Sequence, residues 1–189
     1  MATHLYRSVV LTVVILVICG VGYNVAGWAL SQAAFHSQAN GSITANGSTL
    51  IGQTWNDGTT INPMWFNGRP DADNPLSLNG KAGTSGASNL GPKSKVLVTD
   101  VQALIAEWRK VGINPTPDLV TTSGSGLDPD ISQLDAMVQI PMVAKARHLS
   151  ASVLRQLVIA HTAGAQLGFL GAPYVNVLAL NEALAALRP

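Results

Sequence analysis

After Arg7 the chain carries no Asp, Glu, Lys or Arg until Asp57, and the heart of that interval is VVLTVVILVICGVGYNVAGWAL, Val9 to Leu30. This run constrains the fold more than any other feature. At 1.5 Å per residue, a helix of this length crosses a bilayer core of about 30 Å. The expected organisation is a short N-terminus (1–8), a transmembrane helix (9–30) and one further domain (31–189). A cleaved signal peptide is the alternative, because the densest apolar part is short and AGWALSQAAF offers small residues for cleavage. The apolar character reaching Leu30 favours a retained anchor. Arg7 precedes the run and the next basic residue is Arg69. The positive-inside rule therefore places the N-terminus in the cytoplasm and the bulk outside.

Gly20, Asn24, Gly27 and Ser31 recur at helical spacing along this segment. Small residues let a second helix approach closely, and an amide in lipid is costly without a partner. The stripe reads either as a docking face for another membrane subunit or as incidental glycines in a plain anchor.

The remainder supports one domain. Charged residues make up 11% of the 189 and the net charge is +1, so no basic field addresses nucleic acid. Cys19 is the single cysteine, which excludes an intrachain disulfide framework and a Cys-rich zinc site. NGSITANGSTLIGQTW reads as extended structure with a type I′ hairpin at Asn46-Gly47 and a similar turn at Asn40-Gly41. Residues 56 to 93 form a long polar loop containing Trp65 and Phe66. Helical stripes follow. Leu97, Val101, Leu104, Ile105 and Trp108 form one, ended by Gly112 and Pro115. SQLDAMVQIPMVAKARHLS begins with a Ser132–Asp135 capping pair, and its Pro141 is expected to kink the helix or start a second one. Ser150 caps a third, over Val153, Leu154, Leu157 and Val158. LGFLGAPYVNV is expected as a strand or a buried connection, and Asn176 caps a last helix through Leu180, Leu184 and Leu187. Strands early and helices late give an α+β class.

The chemical motifs fall short of catalytic patterns. In SGSGLDPDIS, Gly124 and Gly126 flank Ser125 directly, so the G-x-S-x-G elbow fails, and the four histidines are scattered. Asp128 and Asp130 match two places of a calcium loop before Ser132 and Gln133 break it. The stretch reads as a turn leading into a helix. In GTSGASNLGPKS, Pro92 intervenes between the second glycine and Lys93, which breaks the phosphate-loop pattern and removes a backbone donor. In WFNGRPDAD, Arg69 either pairs with Asp71 or Asp73 to stiffen the loop or lines a surface for a partner or cation.

Seven motifs in order carry a resemblance: SQANGS (37–42), GSTLIGQTW (47–55), WFNGRPDA (65–72), TSGASNLGPKS (84–94), LVTTSGSGLDPDIS (119–132), QIPMVAKARHLS (139–150) and GAPYVNVLALNEAL (171–184). Together with the anchor they resemble the C subunit family, KdpC, of the Kdp-type potassium-transporting P-type ATPase of bacteria and archaea. The resemblance implies a non-catalytic accessory subunit in the cell (inner) membrane, with one span and an extracytoplasmic domain near the potassium entrance. It implies three partners besides the bilayer: a channel-like potassium-translocating subunit, the P-type ATPase subunit and a small single-span subunit. It implies no cofactor in this chain, ATP and potassium being handled by the complex.

The family's proposed role in nucleotide affinity would fall on Ser85, Gly86, Ser88 and Asn89. Ala87 stands where a second glycine is usual, and a loop outside the membrane does not meet cytoplasmic ATP. Other departures are Asn24, where proline is frequent, and Asp130 and Gln133, where His and Pro are common. Arg69, Asp71, Asp73, Asp128 and Asp130 are the candidate partner or entrance surface, where the carboxylates would raise local potassium. The rival functions are a tethered binding module for another partner and a tethered hydrolase using Ser123 or Ser125.

Overall fold

A computed structural model of the chain describes residues 2–53, 55, 61–70 and 85–187. The chain divides into two compact units, Met1–Ile43 and Thr44–Pro189.

The first unit is dominated by one continuous helix of 33 residues, Ala2–Ala34, long and apolar enough to cross a membrane. It comprises α1 (Ala2–Val17), a π-helical turn (Ile18–Gly22) and α2 (Tyr23–Ala34). None of its residues is buried, as expected of a helix whose neighbours are lipid or another chain. The π turn was not anticipated. Its Tyr23 N–H reaches back to the Ile18 carbonyl, one residue beyond the α pattern. A short helix α3 (His36–Ala39) follows. Asn40-Gly41 is the end of α3 rather than a hairpin. Gly41 sits at φ +87, its N–H bonds Gln38 O, and Ser42 N–H bonds Ser37 O at 2.8 Å. That pairing is the Schellman stop, which places glycine where the left-handed conformation is needed.

The second unit mixes helices with short strands. β1 (Ile43–Thr44) and β2 (Gly47–Ser48) form a two-residue hairpin. Its turn is Ala45-Asn46, one residue earlier than the Asn-Gly signal suggests. Glu182 accounts for the shift, since its Oε1 accepts from Thr44 Oγ1 at 2.8 Å and Asn46 Nδ2 at 3.0 Å. A long-range acceptor outweighs the local turn preference.

Helix α4 (Lys95–Lys110) starts on the Ser94 hydroxyl and ends at Gly112, φ +80. It buries Leu104 and Trp108, with Val101 and Ile105 packed at the edge. A 3₁₀ turn (Pro117–Val120) then leads toward β3 (Asp130–Ser132). Helix α5 (Gln133–Arg147) begins on the expected capping box. Asp135 N–H donates to Ser132 Oγ at 3.1 Å, and Ser132 N–H to Asp135 Oδ2 at 2.8 Å. Pro141 lies inside α5 on its exposed side and starts no second helix. Helix α6 (Ala151–Ala160) is capped by Ser150 and buries Leu154 and Val158, while Val153 faces solvent. β4 (Thr162–Ala163), β5 (Tyr174–Asn176) and α7 (Val177–Ala186) complete the unit, with Asn176 capping α7.

The main sheet is therefore late in the chain, not early. β3, β5 and β4 are adjacent in that order and antiparallel, with Ile131 opposite Val175 and Thr162 opposite Val175. The strands are only two or three residues long, too short for alternation to reveal them. LGFLGAPYVNV yields the strand β5, but its first half is neither strand nor buried, for Leu167 and Phe169 are 83% and 74% exposed. One core joins the elements: Phe66, Trp108, Leu119, Ile140, Val143, Leu154, Val158, Val175, Leu180 and Leu184 are all buried in it.

Candidate functional site

The segment Trp65–Arg69 crosses the core edge without being in a strand, so its backbone polar groups need partners of another kind. Two fully buried amides supply them. Asn181 Oδ1 accepts from Phe66 N–H at 2.9 Å, and its Nδ2 donates to Phe66 O at 2.8 Å. Gln139 Oε1 accepts from Asn67 N–H at 2.8 Å, and its Nε2 donates to Asn67 O at 3.0 Å. Each amide offers one donor and one acceptor in a plane, the pattern a neighbouring strand would present. Trp65 carries Arg147 over its ring at 4.1 Å, and Arg147 Nε donates to Met64 O at 2.6 Å. Burial holds the Arg147 pKa below its ordinary value.

This clamp aims Arg69 at the stretch that follows the 3₁₀ turn. Its guanidinium donates to Thr122 O at 3.2 Å and to Thr121 O at 3.4 Å. It also pairs with Asp128 at 3.5 Å and Asp118 at 4.0 Å. The pairing foreseen with Asp71 or Asp73 concerns residues outside those described. Asp128 Oδ1 accepts from Asp130 N–H at 3.1 Å, making an Asx turn before β3. Asp130 faces Asn176, whose Nδ2 donates to it at 3.0 Å and to Thr49 O at 3.0 Å. Burial, then the neighbouring Asp128 charge, outweigh that hydrogen bond and leave the Asp130 pKa above the ordinary value.

Two further stretches close on the same place. Gly52 N–H donates to Leu127 O at 2.8 Å, and a Cβ on Gly52 would lie 2.6 Å from the Asp128 carbonyl oxygen. Gly86 N–H donates to Ser125 O at 2.8 Å, with Ser85 Oγ on the same oxygen at 3.2 Å. Asn89 is left-handed at φ +54 and its Nδ2 donates to Ala87 O, while Ser88 Oγ accepts from Leu90 N–H. The hydroxyls of Ser123 and Ser125 meet each other at 3.1 Å, and backbone N–H groups of Gly126 and Leu127 donate to them. They hold a turn around Gly126, φ +70. Among the described residues no three His, Cys, Asp or Glu side chains form a group that could hold a metal.

Four sequence motifs far apart in the chain thus meet around residues 121–130. Of the expected surface, Arg69 and Asp128 are brought together and Asp130 lies beside them, turned toward Asn176. Asp71 and Asp73 are not among the described residues. Sequence reasoning missed Gln139 and Asn181, Gly52 and Asp118. A signal existed for the two amides: each interrupts an apolar helical stripe, beside Ile140 and between Val177 and Leu184.

In the first unit, Gly20, Asn24 and Gly27 of the stripe are exposed along the helix and Ser31 is half-buried. Asn24 Nδ2 donates to Gly20 O at 2.6 Å and Ser31 Oγ to Gly27 O at 2.8 Å. Each side chain thus spends one donor on its own helix, which lowers its cost in lipid.

The family described as K+-transporting ATPase, c chain (KdpC), matches residues 5–186. The chain belongs to the KdpC family. Relatives named potassium-transporting ATPase KdpC subunit cover nearly its whole length. The one from Burkholderia ambifaria is 46% identical over 98% of this chain and 97% of that protein. Those from Sorangium cellulosum and Gloeobacter violaceus are 44% and 43% identical, over 100% and 96% of this chain and 100% and 95% of theirs. The KdpC match takes in the apolar helix, the clamped segment and the turn at 121–130 alike.

Proposed function

We propose that this chain is a non-catalytic accessory subunit of an ATP-driven potassium importer. The observation that carries the reading is the match of the whole chain, span included, to proteins named as subunits of a potassium-transporting ATPase. The helix Ala2–Ala34 is the retained anchor, N-terminus cytoplasmic, and its Gly20–Ser31 stripe lies against another membrane subunit. The domain sits outside the cytoplasm over the potassium entrance of the channel-like subunit. Its partners are that subunit, the P-type ATPase subunit and the small single-span subunit.

The mechanism is shaping and assembly. The clamp by Asn181 and Gln139 holds Arg69 in place, and Arg69 fixes the turn carrying Asp128. Asp128 and Asp130, with Asp71 and Asp73, supply negative potential near the entrance. The loop at Ser85, Gly86, Ser88 and Asn89 serves as a strut on Ser125: the Gly86 N–H that a phosphate would need is already engaged there.

The test is extraction of the tagged chain in mild detergent from its own host grown in limiting potassium. Recovery of a channel-like subunit and a P-type ATPase in fixed stoichiometry is expected. Recovery of the chain alone, where other membrane complexes survive, would overturn the reading in favour of a tethered binding module.

A further inference from the structure

Large apolar side chains are exposed at several places on the second unit, and most densely between β4 and β5. Within four residues, Leu167, Phe169 and Leu170 are 83%, 74% and 49% exposed. The segment is built, not loose. Gln166 N–H donates to Leu170 O at 2.8 Å and Leu170 N–H to Gln166 O at 2.9 Å. Inside that bridge, Gly168 N–H donates to Ala165 O at 3.0 Å and Phe169 N–H to Gln166 O at 3.2 Å. The backbone is left-handed at Leu167 (φ +54), Gly168 (φ +83) and Gly171 (φ +82). Gly168 and Gly171 bear this freely. Leu167 does not, and the domain recovers nothing from its side chain, which stands in solvent.

We propose that this knuckle, residues 166–171, is the point by which the domain docks into an uncharged apolar recess on another subunit of the transporter; the inference rests on the accessory-subunit reading. Charge selects the partner. No Asp, Glu, Lys or Arg occurs between Arg155 and Glu182. A knob without charge matches a recess without charge, because neither side then strips water from an ion. The same absence disfavours a lipid surface, where loops and helices that insert apolar side chains draw on Lys and Arg for anionic headgroups. Rigidity fits a protein partner too. The four backbone bonds fix the turn before docking, so less ordering entropy is lost on binding. Three such side chains make a patch of the few-hundred-Å² size that is frequently functional on a monomer. That is less than the roughly 800 Å² a partner contributes to a stable interface, so the knuckle is an anchor within a wider contact.

The test uses the full-length chain produced together with its partner subunits. A photo-crosslinking p-benzoylphenylalanine replaces Phe169 in one sample, and a second carries Leu167→Ser with Phe169→Ser. An adduct to another transporter subunit is expected, with a loss of co-purification of about tenfold or more for the double variant. Its thermal unfolding should match the wild type, since the replaced side chains are exposed. An adduct to lipid alone, an adduct only to a second copy of this chain, or assembly of the double variant at the wild-type level would each overturn the proposal. Failure of the wild type itself to assemble would instead overturn the accessory-subunit reading, and this proposal with it.

Discussion

Asn181 and Gln139 show how much one buried amide can do. Each replaces a strand neighbour for the segment at Phe66 and Asn67, and each is fully buried. Asn181→Leu keeps the branched outline, adds some volume and removes both partners of Phe66. The N–H and C=O left unpaired should cost about 2–6 kcal/mol of unfolding free energy in denaturant titration, at about 1–3 kcal/mol per buried unsatisfied group. An unchanged midpoint would mean that Phe66 finds other partners. Asp130 makes a pH prediction. Its pKa is raised in the folded protein, chiefly by burial. The folded state therefore binds its proton more readily than the unfolded state, and stability falls as pH rises through the interval starting at the ordinary value of 3.8. Asp130→Asn keeps an oxygen for Asn176 and removes the titration. The stability of the variant relative to wild type should climb with pH from that point and level off above the raised value. A difference that does not vary with pH would refute the assignment.

At the scale of elements, caps were legible and phase was not. Ser132, Ser150 and Asn176, the expected caps, each accept the backbone N–H that a capping residue should, and the structure adds Ser94 to them. The capping chemistry is local, so four residues of sequence contain it. Short strands, the hairpin register and the π turn depend on distant groups or on a single inserted residue, so local pattern is silent about them. The π turn at Ile18–Gly22 makes a prediction of its own. An i→i+5 turn rotates everything after it relative to a regular helix. Deleting Val21 should restore α geometry and leave Asn24, Gly27 and Ser31 on the face they now share with residues before the turn. Co-purification with partner subunits should then survive, while deletion of Val25, in the regular helix, should rotate Gly27 and Ser31 by about 100° and lower it sharply. Equal assembly of both deletions would show that helix phase is irrelevant to docking.

For the whole molecule, the reading places Asp71, Asp73, Asp128 and Asp130 near an ion entrance. Replacing all four with Asn removes four negative charges while keeping side-chain size. The potassium half-saturation of transport should rise, and the rise should shrink at high ionic strength, where potentials beyond about 10 Å are screened at 0.1 M salt. An unchanged half-saturation would remove these carboxylates from the ion's path. By itself the sequence determined the apolar span, the helices and their caps, the lack of a complete catalytic motif and, through seven ordered motifs, the family. Those properties are written in neighbouring residues, since hydropathy, periodicity and capping are short-range. Only the tertiary structure decided that Arg69 faces Asp118, Asp128 and two threonine carbonyls, that Gly52 and Gly86 both close on the turn at 123–128, and that buried amides stand in for a strand. It also decided that Leu167 and Phe169, apolar by sequence and expected in a strand or a buried connection, stand out in solvent. Such pairings join residues dozens of positions apart, and backbone groups leaving a strand or helix take whichever partner the packed core brings within reach.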